Sequence, residues 1–554
     1  MQEHRAAETL QAAARGWRAR KFGVHIRRIT SKYVEQNRQS VFDAAQADDS
    51  LLAISRYKDT KELEDQLRPK RLVKLQPKEI VPVRLLRGSW LIKQAEKQRQ
   101  GIPHRKVLEQ DEPEAFLGDD SLHSVLAEVN VNVTEQSGKA VMRYPPIIAV
   151  SYAWHGKEHP DPDGSLLAML APILEWYLSE RAKLLPTRPE VTSHDVGVFL
   201  DFWSLHQQTR TSARDEWEEG IFQGALSSMD AWFAHAGTVT LLMTALPAAW
   251  GEVPEERRFE GRGWCFFERQ VASLAKVGTH VLDGGFFDRD ELARRYPNAA
   301  SIGDGSFASK GAEALAKQAT GEDVAHQDFL SRLIMSSRQG PLHPEVFPEA
   351  LESKAFSFED DRTLTTNLFN AVAHGVVRST HKASFSHLDW GRDDFASLGK
   401  TLTLWDALVE LRLNNSRMDA ECLGALLQGM SADALPKLQE LQIKDNPLGD
   451  EGMKLMAEAL QAGRLRSLRV LLLRSNGQSS EGERALQAAC EARGVSPTWD
   501  NDRQTKEKQK KGLKSAANSI LLVNREVSRA KTKTPERDRG KRAAVECAEP
   551  DLTA

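Results

Sequence analysis

One carboxylate in this chain follows aromatic and sulfur side chains at a spacing that suits chemistry. Glu268 closes the segment Trp264-Cys-Phe-Phe-Glu268, downstream of the apolar run Thr238–Met243. An apolar strand, a loop and a helix that begins at this segment would set the carboxylate beside aromatic walls, at the C-terminal end of the strand. Open α/β sheets bind their ligands at that edge. Glu268 is therefore a candidate catalytic residue, and a structural acid is the alternative.

The elements that must position Glu268 lie between residues 145 and 281. Three apolar runs there predict buried strands, and two stretches between them predict helices. The runs are Ile147–Tyr152, Val196–Phe202 and Thr238–Met243, and the stretches are Leu166–Lys183 and Trp217–Ala234. Such alternation indicates an α/β fold, with an open parallel sheet flanked by helices.

Composition restricts the class of protein. The chain has 554 residues, more than one hydrophobic core usually serves, so several domains are expected. Its 75 basic and 78 acidic residues give a net charge of −3, which argues against a nucleic-acid partner. No apolar run reaches the roughly 18 residues that span a bilayer, and the N-terminus lacks the apolar core of a signal peptide. We therefore expect a cytoplasmic protein without a membrane span.

The four cysteines are widely separated, at positions 265, 422, 490 and 547. This spacing favours reduced thiols over disulfides, and it matches no metal site. Shifts in composition predict six regions. They are a basic helix at 4–40, a mixed charged linker and helical region at 41–140, the α/β domain at 145–281, a helical and loop connector at 282–385, leucine-rich repeats at 386–495, and a disordered basic tail at 500–554.

The N-terminal helix carries one Leu-Gln pair, one Arg-Gly pair and one arginine at fixed spacing: Leu10, Gln11, Arg15, Gly16 and Arg20. Leu10, Trp17 and Phe22 can share one apolar side of the helix, while arginines supply positive charge. This segment resembles an IQ motif, which implies calmodulin as a partner, with binding that can persist without calcium. A membrane-surface helix or a helix packed on its own protein are the alternatives.

Four ordered blocks span about 140 residues of the central domain: Ile147–Gly156, Val196–Gln207, Glu216–Met243 and Arg262–Glu268. Together they resemble the TIR and heterokaryon-incompatibility (HET) superfamily. The last block looks like the Trp-Cys-Leu-x-Glu-Leu segment of plant TIR domains. In catalytic TIR domains that glutamate drives cleavage of NAD. The resemblance implies a TIR-like sheet, and it makes NAD a possible substrate while no bound cofactor is expected.

Cleavage of the N-glycosidic bond of NAD develops positive charge on the ribose, which a nearby carboxylate such as Glu268 stabilises. If the resemblance extends to chemistry, Tyr152, Trp154 and Trp264 would supply stacking surface for the rings. Asp201, which is expected to end the second strand, would orient a hydroxyl group.

One feature leaves a structural role for Glu268 open. Arg269 follows Glu268 where TIR domains have an apolar residue, and its guanidinium can hold the carboxylate in an ion pair.

The loop His155–Asp163 gathers two histidines and three acids, but its two prolines favour a solvated turn over a cation site.

Leucines recur with a period of about 30 residues in the C-terminal part. The strand positions are Leu408, Leu411 and Leu413, then Leu438, Leu441 and Ile443, then Leu468, Leu471 and Leu473. Asn446 and Asn476 follow the second and third of these strands, Ser416 takes the same place in the first, and Leu388 and Asp389 fit a degenerate earlier repeat. The pattern resembles ribonuclease-inhibitor-type repeats, which implies a short arc with a binding face for an unidentified protein. A module that only packs against the central domain is the alternative.

Two functions fit these signals. The first is a signalling scaffold, in which calmodulin binds the N-terminal helix and a protein partner binds the repeats. The second is a calmodulin-regulated NAD-cleaving hydrolase that uses Glu268.

Overall fold

The computed structural model describes residues 57, 60–69, 81–135, 144–184, 194–208, 213–276, 280–287, 338–386 and 388–499. The described residues up to Thr498 belong to one compact unit, and the second unit is described only at Trp499. The predicted helix at 4–40 and the predicted tail at 500–554 lie outside the described residues. Within the described ranges, no helix combines the length and the apolar character needed to cross a membrane.

The first sheet has five strands in the order β1-β3-β2-β4-β5. They are β1 (Leu86–Arg87), β2 (Ile147–Tyr152), β3 (Gly197–Phe199), β4 (Thr238–Met243) and β5 (Val281–Asp283). Strands β2 to β5 run parallel, and only the edge strand β1 is antiparallel. Ile147 at the start of β2 lies opposite both Gly197 and Thr238, so the central strands begin in step.

Helices cover both faces of this sheet. They are α1 (Lys61–Leu67), α2 (Gly88–Glu96), α3 (Arg105–Asp111), α4 (Asp119–Glu135), α5 (Ser165–Leu184), α6 (Asp201–Ser204), α7 (Glu216–Leu226), α8 (Met229–Ala234) and α9 (Gly263–Ala275). Every residue of β2 and β4 is buried, as expected for parallel strands with two covered faces. Ile148, Val150 and Tyr152 join the core formed with α2 and α5, whereas the alternate residue Ser151 faces α9.

Three local expectations for this domain were wrong. The run Val196–Phe202 does not form one strand, because β3 ends at Phe199 and Asp201 begins helix α6. The Ser204 hydroxyl accepts a hydrogen bond from the Leu200 amide at 3.0 Å, which turns the chain out of the sheet. The stretch Trp217–Ala234 is two helices, α7 and α8. The sheet also takes β1 from the region predicted as linker.

The second sheet has five parallel strands that follow one another in chain order. They are β6 (Lys382–Ser384), β7 (Glu410–Arg412), β8 (Glu440–Gln442), β9 (Val470–Leu472) and β10 (Ser496–Thr498). The helices of this part are α10 (Phe347–Glu352), α11 (Asp360–Ser379), α12 (Arg392–Leu402), α13 (Ala420–Gly429), α14 (Gly449–Gln461) and α15 (Ser480–Arg493). Strand β6 precedes the predicted boundary at residue 386, so a further strand–helix unit stands before the three that the leucines mark.

Polar side chains form hydrogen bonds between neighbouring units, at the positions that the repeat period predicts. The Asn446 carboxamide accepts hydrogen bonds from the amides of Ser416 and Met418, at 2.9 and 3.1 Å, and donates to the Leu413 carbonyl at 2.8 Å. Asn476 accepts from the Asn446 amide in the same way, at 3.1 Å. Each buried asparagine thus supplies the partners that the turn backbone of the preceding unit needs.

A buried arginine joins the two sheets. Arg338 donates from Nε and Nη2 to the Ser273 carbonyl of α9, at 2.9 and 2.7 Å, and from Nη1 to the Ser384 carbonyl of β6, at 2.8 Å. Its guanidinium also lies 4.3 Å from the centre of the Phe385 ring. One side chain therefore satisfies backbone groups on both sheets.

Candidate functional site

The candidate site lies where the strands of the first sheet end. The chain leaves β2 for β3 on one side and returns to β4 on the other, so its direction of winding changes at β2. Open α/β sheets hold their ligands at such a point, outside the carboxyl ends of the strands. Tyr152 ends β2, Asp201 follows β3, and α9 brings Glu268 to the same edge.

Asp201 gathers three hydrogen bonds at this edge. Its Oδ1 atom accepts from the Tyr152 hydroxyl at 2.5 Å, from the Trp154 indole at 3.3 Å and from the Phe202 amide at 2.7 Å. Burial raises the pKa of Asp201 despite these bonds, and it raises the pKa of Tyr152 well above its usual value. Three of the predicted site residues, Tyr152, Trp154 and Asp201, are therefore in direct contact.

Glu268 is a buried acid, with only 7% of its surface exposed. Burial raises the pKa of its carboxyl well above the usual 4.5, the Ser151 hydroxyl lowers it by a smaller amount, and the charge of Asp201 raises it. Ser151 has no other partner among the described residues, and its contact with the carboxyl falls short of full hydrogen-bond geometry. The carboxyl group is consequently neutral at a pH where an exposed glutamate is ionised.

Arg269 does not pair with Glu268 in the described structure. Its Nη2 atom lies 3.4 Å from the Glu260 carboxylate, and its guanidinium packs 4.7 Å from the centre of the Phe259 ring. Consecutive residues on a helix point about 100° apart, so a guanidinium at the next position faces another direction. The ion pair that would have made Glu268 a structural acid is therefore absent from the described residues.

Two neighbours of Glu268 complete the electrostatics of the site. Cys265 lies one helical turn earlier and is buried, and both burial and the Glu268 charge raise the pKa of its thiol. Such a thiol is a poor nucleophile. The positive charge of Arg262, at the start of α9, lowers the pKa of both Asp201 and Cys265.

Trp264 lies apart from the other predicted substrate-binding residues. Its indole donates to the Asp361 carboxylate at 3.0 Å, and its ring meets Phe267 edge-on at 5.7 Å. In the described ranges, no hydrogen bond or ring contact joins Trp264 to Tyr152, Trp154 or Asp201. The segment around Phe356 holds this end of α9, because the Ala355 backbone bonds to Gly261 and Gly263 at 2.8 and 2.9 Å.

The loop His155–Asp163 begins helix α5 and is only partly solvated. The Asp161 carboxylate accepts from the amides of Leu166 and Leu167 at 2.9 and 3.0 Å, which caps the helix. Within the described ranges, no group of three or more histidine, cysteine or acidic side chains is placed to hold a metal ion.

Sequence reasoning missed Ser151 and Arg262 as members of the site. Ser151 lies in the apolar run that predicts β2, and its alternation with Tyr152 is the signal that puts it on the opposite face of the sheet. Arg262 immediately precedes the helix that carries Glu268, and no sequence signal marks its charge as part of the site. Comparison of the sequence with protein-family models and with curated proteins finds no match.

The burial of Glu268 predicts that Glu268→Gln stabilises the protein at high pH. The folded-state pKa of this carboxyl is raised, so the unfolded chain loses the proton first and folding becomes less favourable as pH rises above about 4.5. Glutamine does not ionise. We expect the variant to gain about 1–3 kcal/mol of unfolding free energy at pH 8 and almost nothing at pH 4, measured by urea denaturation.

Glu260→Gln is the matched control, because Glu260 is exposed and forms an ion pair with Arg269. It should change the unfolding free energy by less than about 1 kcal/mol at either pH. An equal or lower stability of Glu268→Gln at pH 8 would contradict the assignment of a neutral buried acid.

Proposed function

We propose that this protein is a cytoplasmic signalling scaffold, in which leucine-rich repeats bind a protein partner and an N-terminal IQ-type helix binds calmodulin. The open face of the second sheet carries the proposal. Leu411 and Leu441 pack against helix residues such as Leu423 and Met456, so the alternate strand residues point away from the helices. These alternate residues form a continuous surface across the strands.

Half of this face is a polar network. The Glu410 carboxylate receives the Lys382 ammonium at 3.1 Å, the Arg412 guanidinium at 2.5 Å and the Gln442 amide at 3.1 Å. Gln442 also donates to Glu440 at 2.7 Å, which relieves the repulsion between two glutamates that lie directly opposite each other. These charges are fixed before a partner arrives, so little side-chain entropy is lost when it binds.

The other half of the face is apolar. Val470 and Leu472 on β9 lie in register with Glu440 and Gln442, and both are only partly buried. Protein-binding surfaces usually combine an apolar strip with ordered polar side chains beside it. A module that only shields the central domain would not need a polar network on the face turned away from its helices.

The proposal that calmodulin is the second partner rests on five residues outside the described part of the chain: Leu10, Gln11, Arg15, Gly16 and Arg20. Their spacing supports an amphipathic basic helix that fits an apolar groove with an acidic rim. A chain that holds one partner at its N-terminal segment and another on its repeats brings the two together.

The scaffold predicts a bridged complex. Immobilised calmodulin should retain the full chain and, through it, the protein partner from a native extract. Arg15→Ala with Arg20→Ala should weaken retention of the chain at least about tenfold, since two charged contacts are lost. Val470→Asp with Leu472→Asp should leave the chain bound and release the partner. Western blotting and mass spectrometry of the eluates measure both.

Arg27→Ala with Arg28→Ala removes the same charge from the same segment and serves as the control. Equal losses in the two arginine pairs would mean that charge alone binds calmodulin. Retention of the same partner proteins by Val470→Asp with Leu472→Asp would show that the open face does not bind them.

A second function, hydrolysis of NAD, is favoured by one observation: the Glu268 carboxyl faces Ser151 and lies near Asp201, and it is not held by Arg269. In this proposal the bond between the ribose and nicotinamide breaks, nicotinamide leaves with the bonding electrons, and water adds to the ribose carbon and releases one proton to the solvent. A neutral Glu268 loses its proton when the cationic nicotinamide ring approaches, since an opposite charge favours the ionised form. The carboxylate then stabilises the charge that develops on the ribose.

Hydrolysis predicts release of nicotinamide when the purified chain is incubated with NAD in the presence of calmodulin. Glu268→Gln should lower the rate by about 10²- to 10³-fold, as loss of one charge-stabilising group does in other enzymes. Glu260→Gln, which changes the exposed partner of Arg269, should retain the rate. Chromatography of nicotinamide measures the outcome, and a rate equal in the wild type and Glu268→Gln would remove the enzymatic function.

A further inference from the structure

A cationic groove runs along the rim of the second sheet where its strands begin. It has a volume of about 510 Å³, and four of its lining residues are basic: Lys437, Arg466, Arg469 and Arg493. Val409 and Leu468 also line it. This rim groove is distinct from the open sheet face, because its residues precede the strands rather than alternate along them.

The charge of the rim groove is largely uncompensated. Lys437 and Arg469 are exposed, and neither forms an ion pair with another residue of the described structure. Arg466 meets Asp433, but both side chains are exposed, and such a pair is worth little in water. No acid stands among the described residues that line the groove. The protein as a whole has a net charge of −3, so this concentration of positive charge is local.

The backbone of the rim offers a ligand few acceptors. The Val409 carbonyl already accepts from the amides of Gln439 and Glu440, at 2.9 and 3.0 Å, and the Gln439 carbonyl accepts from Arg469 and Val470, both at 2.9 Å. With these two carbonyls occupied, the charged groups that face a ligand are the Lys437 ammonium and the arginine guanidiniums, beside the Gln439 carboxamide. The groove therefore selects for anions.

One wall of the rim groove is rigid. Arg493 ends α15, and its guanidinium donates to the carbonyls of Leu460 and Arg464. Gly494 follows with φ +66°, a left-handed conformation that ends the helix and turns the chain into β10. The arginine is thus held in place before any ligand binds, which lowers the entropy lost on binding.

We propose that the rim groove binds a compact ligand with two or more phosphate groups. The planar guanidinium of arginine donates two parallel hydrogen bonds to a phosphate, and lysine adds a point charge. A volume of about 510 Å³ falls within the range of small-molecule sites. An extended acidic peptide spreads its charge over a greater length, so the compact polyanion is the better fit.

Isothermal titration calorimetry of the full chain with inorganic tripolyphosphate, at roughly 0.15 M salt, tests this site. Lys437→Ala with Arg469→Ala should weaken binding at least about tenfold, because charge-assisted contacts are lost. Arg469→Lys keeps the charge but not the two parallel donors, and it should weaken binding by a smaller factor. Lys437 and Arg469 are both exposed, so the variants should unfold at the same urea concentration as the wild type.

Arg474→Ala is the matched control, since Arg474 follows the same strand, β9, at its other end. It should change the dissociation constant by less than about twofold. Equal affinities of the wild type and the double variant would overturn the site, as would an equal loss in Arg474→Ala. Tighter binding of a heptaglutamate peptide than of tripolyphosphate, lost in the double variant, would replace the phosphate ligand with an acidic protein segment.

Discussion

The guanidinium of Arg338 is the interaction on which the arrangement of this protein depends. It is buried, and it satisfies the Ser273 carbonyl of α9 and the Ser384 carbonyl of β6 at once. Removal of this guanidinium would leave both carbonyls unsatisfied, at a cost of roughly 1–3 kcal/mol for each buried group. Trp390 adds to this link, because its indole donates to the Arg338 carbonyl. The helix that carries Glu268 and the first strand of the repeat sheet are therefore fixed to the same residue.

This link joins two surfaces of different character. On the first sheet both faces are covered by helices, so polar groups concentrate at the edge where the strands end, and Glu268, whose pKa burial raises, lies beside them. On the second sheet one face stays open and carries a fixed polar network. Burial of an ionisable acid lowers the stability of the fold, and proteins commonly carry such a cost at groups that serve a function. The open sheet face and the edge that holds Glu268 therefore belong to one compact unit.

Sequence patterns predicted the structure correctly where a local periodicity determines the element. Strands β2 and β4 match their predicted ranges because continuous apolar runs of six residues suit a strand buried on both faces. Asn446 and Asn476 bond as the repeat period indicates. In each case the residues that determine the element lie close together in the sequence.

Patterns failed where distant residues decide. The two-residue strand β1 has no periodicity and exists because Leu86 pairs with Val198. The apolar run after Val196 was too long for β3, since Phe202 belongs to α6 and its ring packs against Trp154 and His159. Arg269 pairs with Glu260, nine residues away, and no local rule identifies that partner. The partnership of Arg338 with Ser273 and Ser384 likewise spans 65 and 46 positions.

Through Arg338 the two sheets should unfold as one cooperative body. Native-state hydrogen exchange in increasing urea can test this, because it reports the unfolding free energy of each segment separately. We expect the slowest amides of α9 and β6 to merge into a single unfolding transition. Two transitions with different free energies and different urea dependences, one for each sheet, would contradict it.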